Sequence, residues 1–164
     1  MSVLPDVLAP GLRIVFCGTA VSTTSARLGA YYARPGNKFW PTLFKVGLTP
    51  RQLQPGEYAT ITDYGLGLTD LAKSVAGIDA ALEDRHFERA GLRGKIERYS
   101  PLILAFTSKR AAQEFTGHDV DYRFLKETIG STRLFVLPST SGAANGSWSI
   151  GPWEELAAVA SRGR

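Results

Sequence analysis

The sequence predicts an α/β sandwich on a mainly parallel central sheet, from three observations. Three apolar runs have strand length, helical patterns lie between them, and Gly, Pro or Ser stands at the run ends. Residues 12–17 (Leu-Arg-Ile-Val-Phe-Cys) form the first run, which stops at Gly18. Near-continuous apolarity suits a strand buried on both faces by helices. The segment 37–46 then reads as a helix, and 57–61 as a shorter one. Residues 65–70 (Gly-Leu-Gly-Leu-Thr-Asp) form either a fourth strand or a turn leading into a helix. A helix over 85–99 precedes the second strong run, 101–107, which is opened by Pro101. Ser108 follows as the N-cap of a helix over 108–115. The third run, 132–137, is stopped by Pro138, and a last helix covers 151–160. No repeat, linker or low-complexity segment interrupts this order.

Length and composition exclude several classes. A chain of 164 residues with 44% hydrophobic and 21% charged residues suits one domain spanning 1–164, with a core of its own. The single cysteine, Cys17, excludes an internal disulfide. With only His86 and His118 besides, the chain cannot build a His/Cys zinc site, and no cofactor or metal is expected. No apolar run reaches the ~18 residues of a membrane helix, and residues 1–11 lack the basic and apolar regions of a signal peptide. The expectation is a cytoplasmic monomer with no membrane partner. Lys and Arg exceed Asp and Glu by 19 to 15. That excess favours an acidic partner such as nucleic acid only weakly, and an ordinary basic domain accounts for it equally well.

In open α/β sheets, ligands sit beyond the carboxyl ends of the strands. This rule selects residues 18–24, 107–110 and 138–147, joined by the loop at Asp70 if 65–70 is a strand. The nucleotide-binding glycine fingerprint, the phosphate loop, the nucleophile elbow and the zinc deaminase signature are all missing. What remains is small, polar and aromatic. Residues 18–25 offer hydroxyls and backbone N–H groups, although a capped turn needs the same residues. Residues 138–147 (Pro-Ser-Thr-Ser-Gly-Ala-Ala-Asn-Gly-Ser) allow close approach of a backbone or a base, or are plain loop. Residues 31–40 place four aromatics and two cations together, a combination suited to nucleobases and phosphates. Phe39 and Trp40 also read as core.

These same residues carry a family resemblance. Residues 11–18 (Gly-Leu-Arg-Ile-Val-Phe-Cys-Gly) and 32–40 (Tyr-Ala-Arg-Pro-Gly-Asn-Lys-Phe-Trp) resemble the mismatch-specific uracil/thymine DNA glycosylases. Residues 48–53, 63–69 and 136–142 continue the similarity in order, so it covers nearly the whole chain. The Pro-x-Asn-x-Phe-Trp stretch is its most specific piece. The resemblance implies a three-layer α/β/α sandwich around a small, mainly parallel sheet, four-stranded when 65–70 is counted. It also implies hydrolysis of the N-glycosidic bond of a flipped uracil, or of a mismatched thymine or other damaged base. The partner would be damaged or mismatched DNA, double or single stranded, and the location the nucleoid.

The chain departs from the family pattern at two places. The first family motif usually reads Gly-x-Asn-Pro-Gly, with Asn positioning the attacking water; here Gly18-Thr19-Ala20-Val21-Ser22 puts Ala20 at that place. Asp70 is the best substitute, since a carboxylate can orient or deprotonate water and oppose the positive charge developing on the sugar. As plain structure, Asp70 would be a helix N-cap. Asp63 is the rival carboxylate, and its Asp-Tyr context reads as structural. The second departure is Ala143, flanked by Gly142 and Ala144, where the family carries a bulky wedge; a methyl group fills little of the gap left by a flipped base.

By the same resemblance, Tyr32 is the aromatic on which the base stacks. Backbone N–H groups near Gly18, Thr19 and Ala20 read pyrimidine carbonyls, Asn37 braces the pocket floor, and Ser139 bonds the base or water. Lys109, Arg110 and Asn145 are candidates for phosphate contacts, while Trp148 and Trp153 anchor the last helix. Two other classes stay open at this stage. One is a catalytically silent relative that binds lesions or abasic sites; the other is a hydrolase of free nucleosides.

Overall fold

The computed structural model describes residues 2–77 and 82–162. Its centre is one sheet of five strands: β1 (Ile14–Gly18), β2 (Leu66–Asp70), β3 (Ile103–Phe106), β4 (Arg123–Ile129) and β5 (Thr132–Val136), in the order β2-β1-β3-β5-β4. The first four in that order run parallel, and β4 pairs antiparallel with β5. The expected count of four strands is therefore corrected to five. The missed strand, β4, is a half-exposed edge with charges at Arg123, Lys126 and Glu127, so it lacks the apolar signature of the others. The 65–70 segment resolves as a strand.

Period-2 alternation sends the central strands' side chains to two separate cores. Ile14, Phe16, Leu66, Leu68, Ile103, Ala105 and Phe135 pack on one side. There they meet Phe39, Trp40 and Leu43 of α2 (Phe39–Lys45) and Trp153 and Leu156 of α5 (Gly151–Arg162). Val15, Cys17, Leu104, Phe106, Leu134 and Val136 pack on the other side, against Leu92 and Ile96 of α3 (Arg89–Tyr99) and Ala111, Ala112 and Phe115 of α4 (Lys109–Thr116). The result is three layers, α/β/α. The expected helix over 57–61 is part of a longer 3-10 segment, Pro55–Tyr64, and the start of 85–99 is a separate 3-10 turn, Asp84–His86. Among the described residues, no helix is long and apolar enough to cross a membrane.

One glycine links the fold to the site. A Cβ on Gly67 would lie 2.7 Å from the Val7 carbonyl oxygen and 2.7 Å from Leu12 Cδ1. Its absence lets the N-terminal segment lie against the edge strand β2, where Val7 and Leu68 exchange two backbone hydrogen bonds of 2.9 Å. This contact covers an edge that would otherwise be open to pairing. It also places Asp6 beside Thr69 at the carboxyl end of the sheet.

Candidate active site

Every segment selected by the strand-end rule meets in one cavity of about 520 Å³. Gly18, Thr19 and Ala20 enter from the end of β1, Asp70 from the end of β2, Thr107 to Lys109 from the end of β3, and Ser139 to Ser141 from the loop after β5. Tyr32, Arg34 and Asn37 close it from the segment between α1 (Thr23–Leu28) and α2. Ser22 caps α1 by accepting the Ser25 N–H, and Ser108 caps α4 by accepting the Ala111 N–H.

The floor is where three oxygens converge. A Cβ built on Gly18 would stand 3.0 Å from Asp70 Oδ1 and 3.5 Å from both Thr107 Oγ1 and the Tyr32 hydroxyl. Glycine is favoured there by proximity to the Asp70 carboxylate, not by backbone conformation. Tyr32 has φ 52°, unusual for a non-glycine residue, and is held by a 3.1 Å hydrogen bond between its hydroxyl and Thr107 Oγ1. One face of its ring is stacked on Phe39, with centroids 3.9 Å apart and planes 14° from parallel.

Asp70 ends β2 and caps no helix, so its reading as an N-cap is corrected. It is 4% exposed, and its Oδ2 is buried without a hydrogen-bond partner. Among the described residues the nearest cation is Lys73, with Nζ 3.6 Å away. Burial disfavours its charged form and pushes the carboxyl up to about 6; Lys73 opposes that rise and Asp6 adds to it. At pH 7 such a group is still mostly ionised, so it can take up a proton or face a developing cation. Asp63, the rival carboxylate, lies in the 3-10 segment and outside the cavity wall. Among the described residues, no three His, Cys, Asp or Glu side chains converge on a point where a metal ion could be held.

A family model for the uracil DNA glycosylase superfamily matches residues 5–160. The chain belongs to that superfamily. A solution NMR structure from Methanosarcina acetivorans, itself assigned only provisionally as a uracil DNA glycosylase, superposes with a TM-score of 0.64 at 23% identity. The alignment covers 97% of this chain and 95% of that one, and at this identity the likeness speaks for the fold alone. Superfamily membership makes the chain a DNA glycosylase in general type, and so a hydrolase of DNA repair acting on DNA.

Against that background the remaining sequence candidates fall into two groups. Ala143, Ala144 and Lys109 stand in the cavity wall, with Lys109 Nζ 4.5 Å from the centroid of the Tyr122 ring. Gly142, Asn145 and Arg110 stand beside it. Asn145 Oδ1 accepts a hydrogen bond from Lys38 Nζ, and Arg110 Nε pairs with Glu114 at 2.8 Å. Asn37 Oδ1 accepts the Phe39 N–H and so orders the start of α2, while Ser139 Oγ accepts the Ser141 N–H. Trp153 is fully buried and donates to the Pro138 carbonyl; Trp148 packs beside it under Lys38. Sequence reasoning passed over Thr107 and Tyr122 as individual residues, although Thr107 opens one of the selected segments. It also gave no sign of Asp6 or Lys73.

Proposed function

We propose that the protein is a monofunctional, mismatch-specific uracil DNA glycosylase of base excision repair. It would hydrolyse the N-glycosidic bond of a flipped uracil, and of thymine opposite guanine or other damaged bases. The observation that carries this reading is the Asp70 carboxylate at the cavity floor, with Oδ1 beside the Gly18 strand end and Oδ2 buried on the Lys73 side. A buried carboxylate short of donors is costly, and a water or a cationic sugar brought to its Oδ1, the oxygen beside the Gly18 strand end, relieves that cost. Asp70 orients a water toward C1′; the C1′–N bond breaks, the water oxygen bonds to C1′, and the water proton passes to Asp70. The base departs with the bonding electrons and is protonated from solvent. The carboxylate also faces the positive charge that gathers on the sugar in the oxocarbenium-like state. This replaces the amide that Ala20 lacks.

The other residues take roles in binding. Tyr32 offers the base an aromatic surface, a contact worth roughly 1–3 kcal/mol. Thr19, Ala20 and Ser139 face its polar edges, and Arg34 and Lys109 at the cavity wall attract the flanking phosphates. Ala143 and Ala144 fill little of the gap in the stack, so single-stranded and weakly paired sites are favoured over intact duplex. On this reading the protein works as a monomer on DNA of the cytoplasmic nucleoid.

The test is excision from uracil-containing oligonucleotides, read as strand breakage after alkali. Wild type cuts, and Asp70→Ala cuts at least ~100-fold more slowly, the lower range for a lost general base. The absence of an amide at position 20 favours a second reading, a lesion binder without turnover. Wild type that binds uracil-containing DNA selectively and never cuts it at any pH would establish that reading instead.

A further inference from the structure

We infer that Lys73 is a positioning residue for the glycosylase reaction, acting through Asp70: its buried ammonium group, shared between Asp6 and Asp70, balances the charge of the Asp70 carboxylate beside the Gly18 strand end. The inference rests on the catalytic reading of Asp70 and adds how that carboxylate is controlled. Lys73 is 5% exposed, three residues after Asp70, in the loop that leaves β2. Its ammonium group is 3.0 Å from Asp6 Oδ1, 2.9 Å from the Tyr31 hydroxyl and 3.6 Å from Asp70 Oδ2. A buried ammonium normally has its donors satisfied by close partners. Here two partners are close and the third, the Asp70 oxygen, is held at a longer distance. The cation therefore acts on Asp70 chiefly by charge, and from the Oδ2 side. Oδ1, on the Gly18 side, is left to the cavity while the negative charge of the carboxylate is partly balanced from the Oδ2 side.

The surroundings keep the cation in this place. Tyr31 donates to the Pro5 carbonyl at 3.0 Å, and its ring centroid is 5.4 Å from Lys73 Nζ. Asp6 is itself held by Lys95 of α3 at 2.7 Å and by the Thr69 hydroxyl at 2.7 Å. The Val3 N–H donates to the Lys73 carbonyl at 2.8 Å, and Glu88 Oε2 accepts the Lys73 N–H at 2.9 Å, which ties its backbone from both sides. Among the described residues, the charged and titratable groups that act on Asp70 are thus Lys73 on its own loop, Asp6 on the N-terminal segment, Lys95 on α3, Cys17 on β1, and Tyr31 and Tyr32 after α1. Of the two cations, Lys95 is paired with the far oxygen of Asp6. Lys73 is the one in reach of Asp70.

The experiment measures single-turnover excision of uracil from an oligonucleotide between pH 5 and 9, with wild type, Lys73→Met, Asp6→Asn and Asp70→Asn. Activity that needs ionised Asp70 rises through an acid limb. Lys73→Met removes the balancing charge, so its limb moves to higher pH by about one unit or more, the size expected for a close charge. Its rate at the alkaline plateau recovers toward wild type, and its affinity for abasic product DNA is unchanged. Asp6→Asn removes a repelling carboxylate and leaves Lys73 to Asp70 alone, so its limb moves the other way. If Lys73→Met does not fold, the direction of the Asp6→Asn shift decides. A dead Asp70→Asn together with wild-type limbs in the other two variants overturns the role of Lys73 and leaves Asp70 standing. An Asp70→Asn variant that cuts at the parental rate overturns both.

Discussion

Two aspartates flank one buried lysine, and the structure treats them in opposite ways. Asp6 has a side chain 20% exposed and collects Lys73, Lys95 and Thr69, so it is saturated with donors. Burial alone would raise its pKa; the two lysines and the hydroxyl outweigh it and hold the carboxyl below its ordinary range. Asp70, at the end of the adjoining strand, is more deeply buried and has an oxygen with no donor. The same chemical group is therefore donor-saturated in one place and short of donors a few ångströms away, where the proposed reaction needs it. The difference lies in where the donors go. Burial with full hydrogen bonding makes an inert carboxylate, and burial without it makes one whose proton affinity falls near physiological pH.

The largest effect should come from Asp70→Asn. Excision falls at least ~100-fold, while the fold becomes more stable at pH 8. The sign follows from linkage: a carboxyl raised from 3.8 to about 6 in the folded state costs stability once both states are ionised, above about pH 6. That cost shrinks as pH falls toward 3.8. Urea unfolding at pH 8 should show the variant more stable by on the order of 1–3 kcal/mol, with the gap closing by pH 4. A variant equally dead but less stable at pH 8 would break the contrast between the two aspartates.

Gly18→Ala comes next. Its new methyl group would stand 3.0 Å from Asp70 Oδ1 and must displace that carboxylate or the strand end. A loss of about 10- to 100-fold in single-turnover rate is expected, since small misplacements are costly in a positioned site. Ala143→Leu tests a part of the cavity outside the carboxylate pair. It should improve use of duplex over single-stranded uracil by several-fold, through filling the vacated stack, with the acid limb of the rate unmoved. The smallest effect belongs to Thr69→Val. It removes one donor from an already well-supplied Asp6, costing about 1 kcal/mol of stability and leaving the excision rate at pH 8 unchanged.

Much of the frame was legible because both-face burial writes itself as continuous apolar sequence. β1, β3 and β5 are read from residues 12–17, 101–107 and 132–137 for that reason, and their carboxyl ends lead directly to the cavity. β4 was not legible: its exposed charges and antiparallel edge position leave no apolar run. Residues 65–70 were ambiguous because glycine at 65 and 67 weakens a strand pattern, and the reason for Gly67 lies in Val7, sixty residues earlier. Asp70 was proposed from the family resemblance together with chemistry, by asking what could stand in for the amide that the family motif carries and Ala20 lacks. Its partners could not be found the same way. Asp6 and Tyr31 reach Lys73 across 67 and 42 positions of sequence, a convergence that only the fold creates.

Carbon-detected NMR titration of the Asp70 side-chain carboxyl, in the protein without DNA, reads the central quantity directly. A midpoint near 6, with Asp6 still ionised throughout the same range, is the predicted result. An Asp70 that titrates at or below 4, like an exposed or donor-saturated carboxylate, would contradict the account.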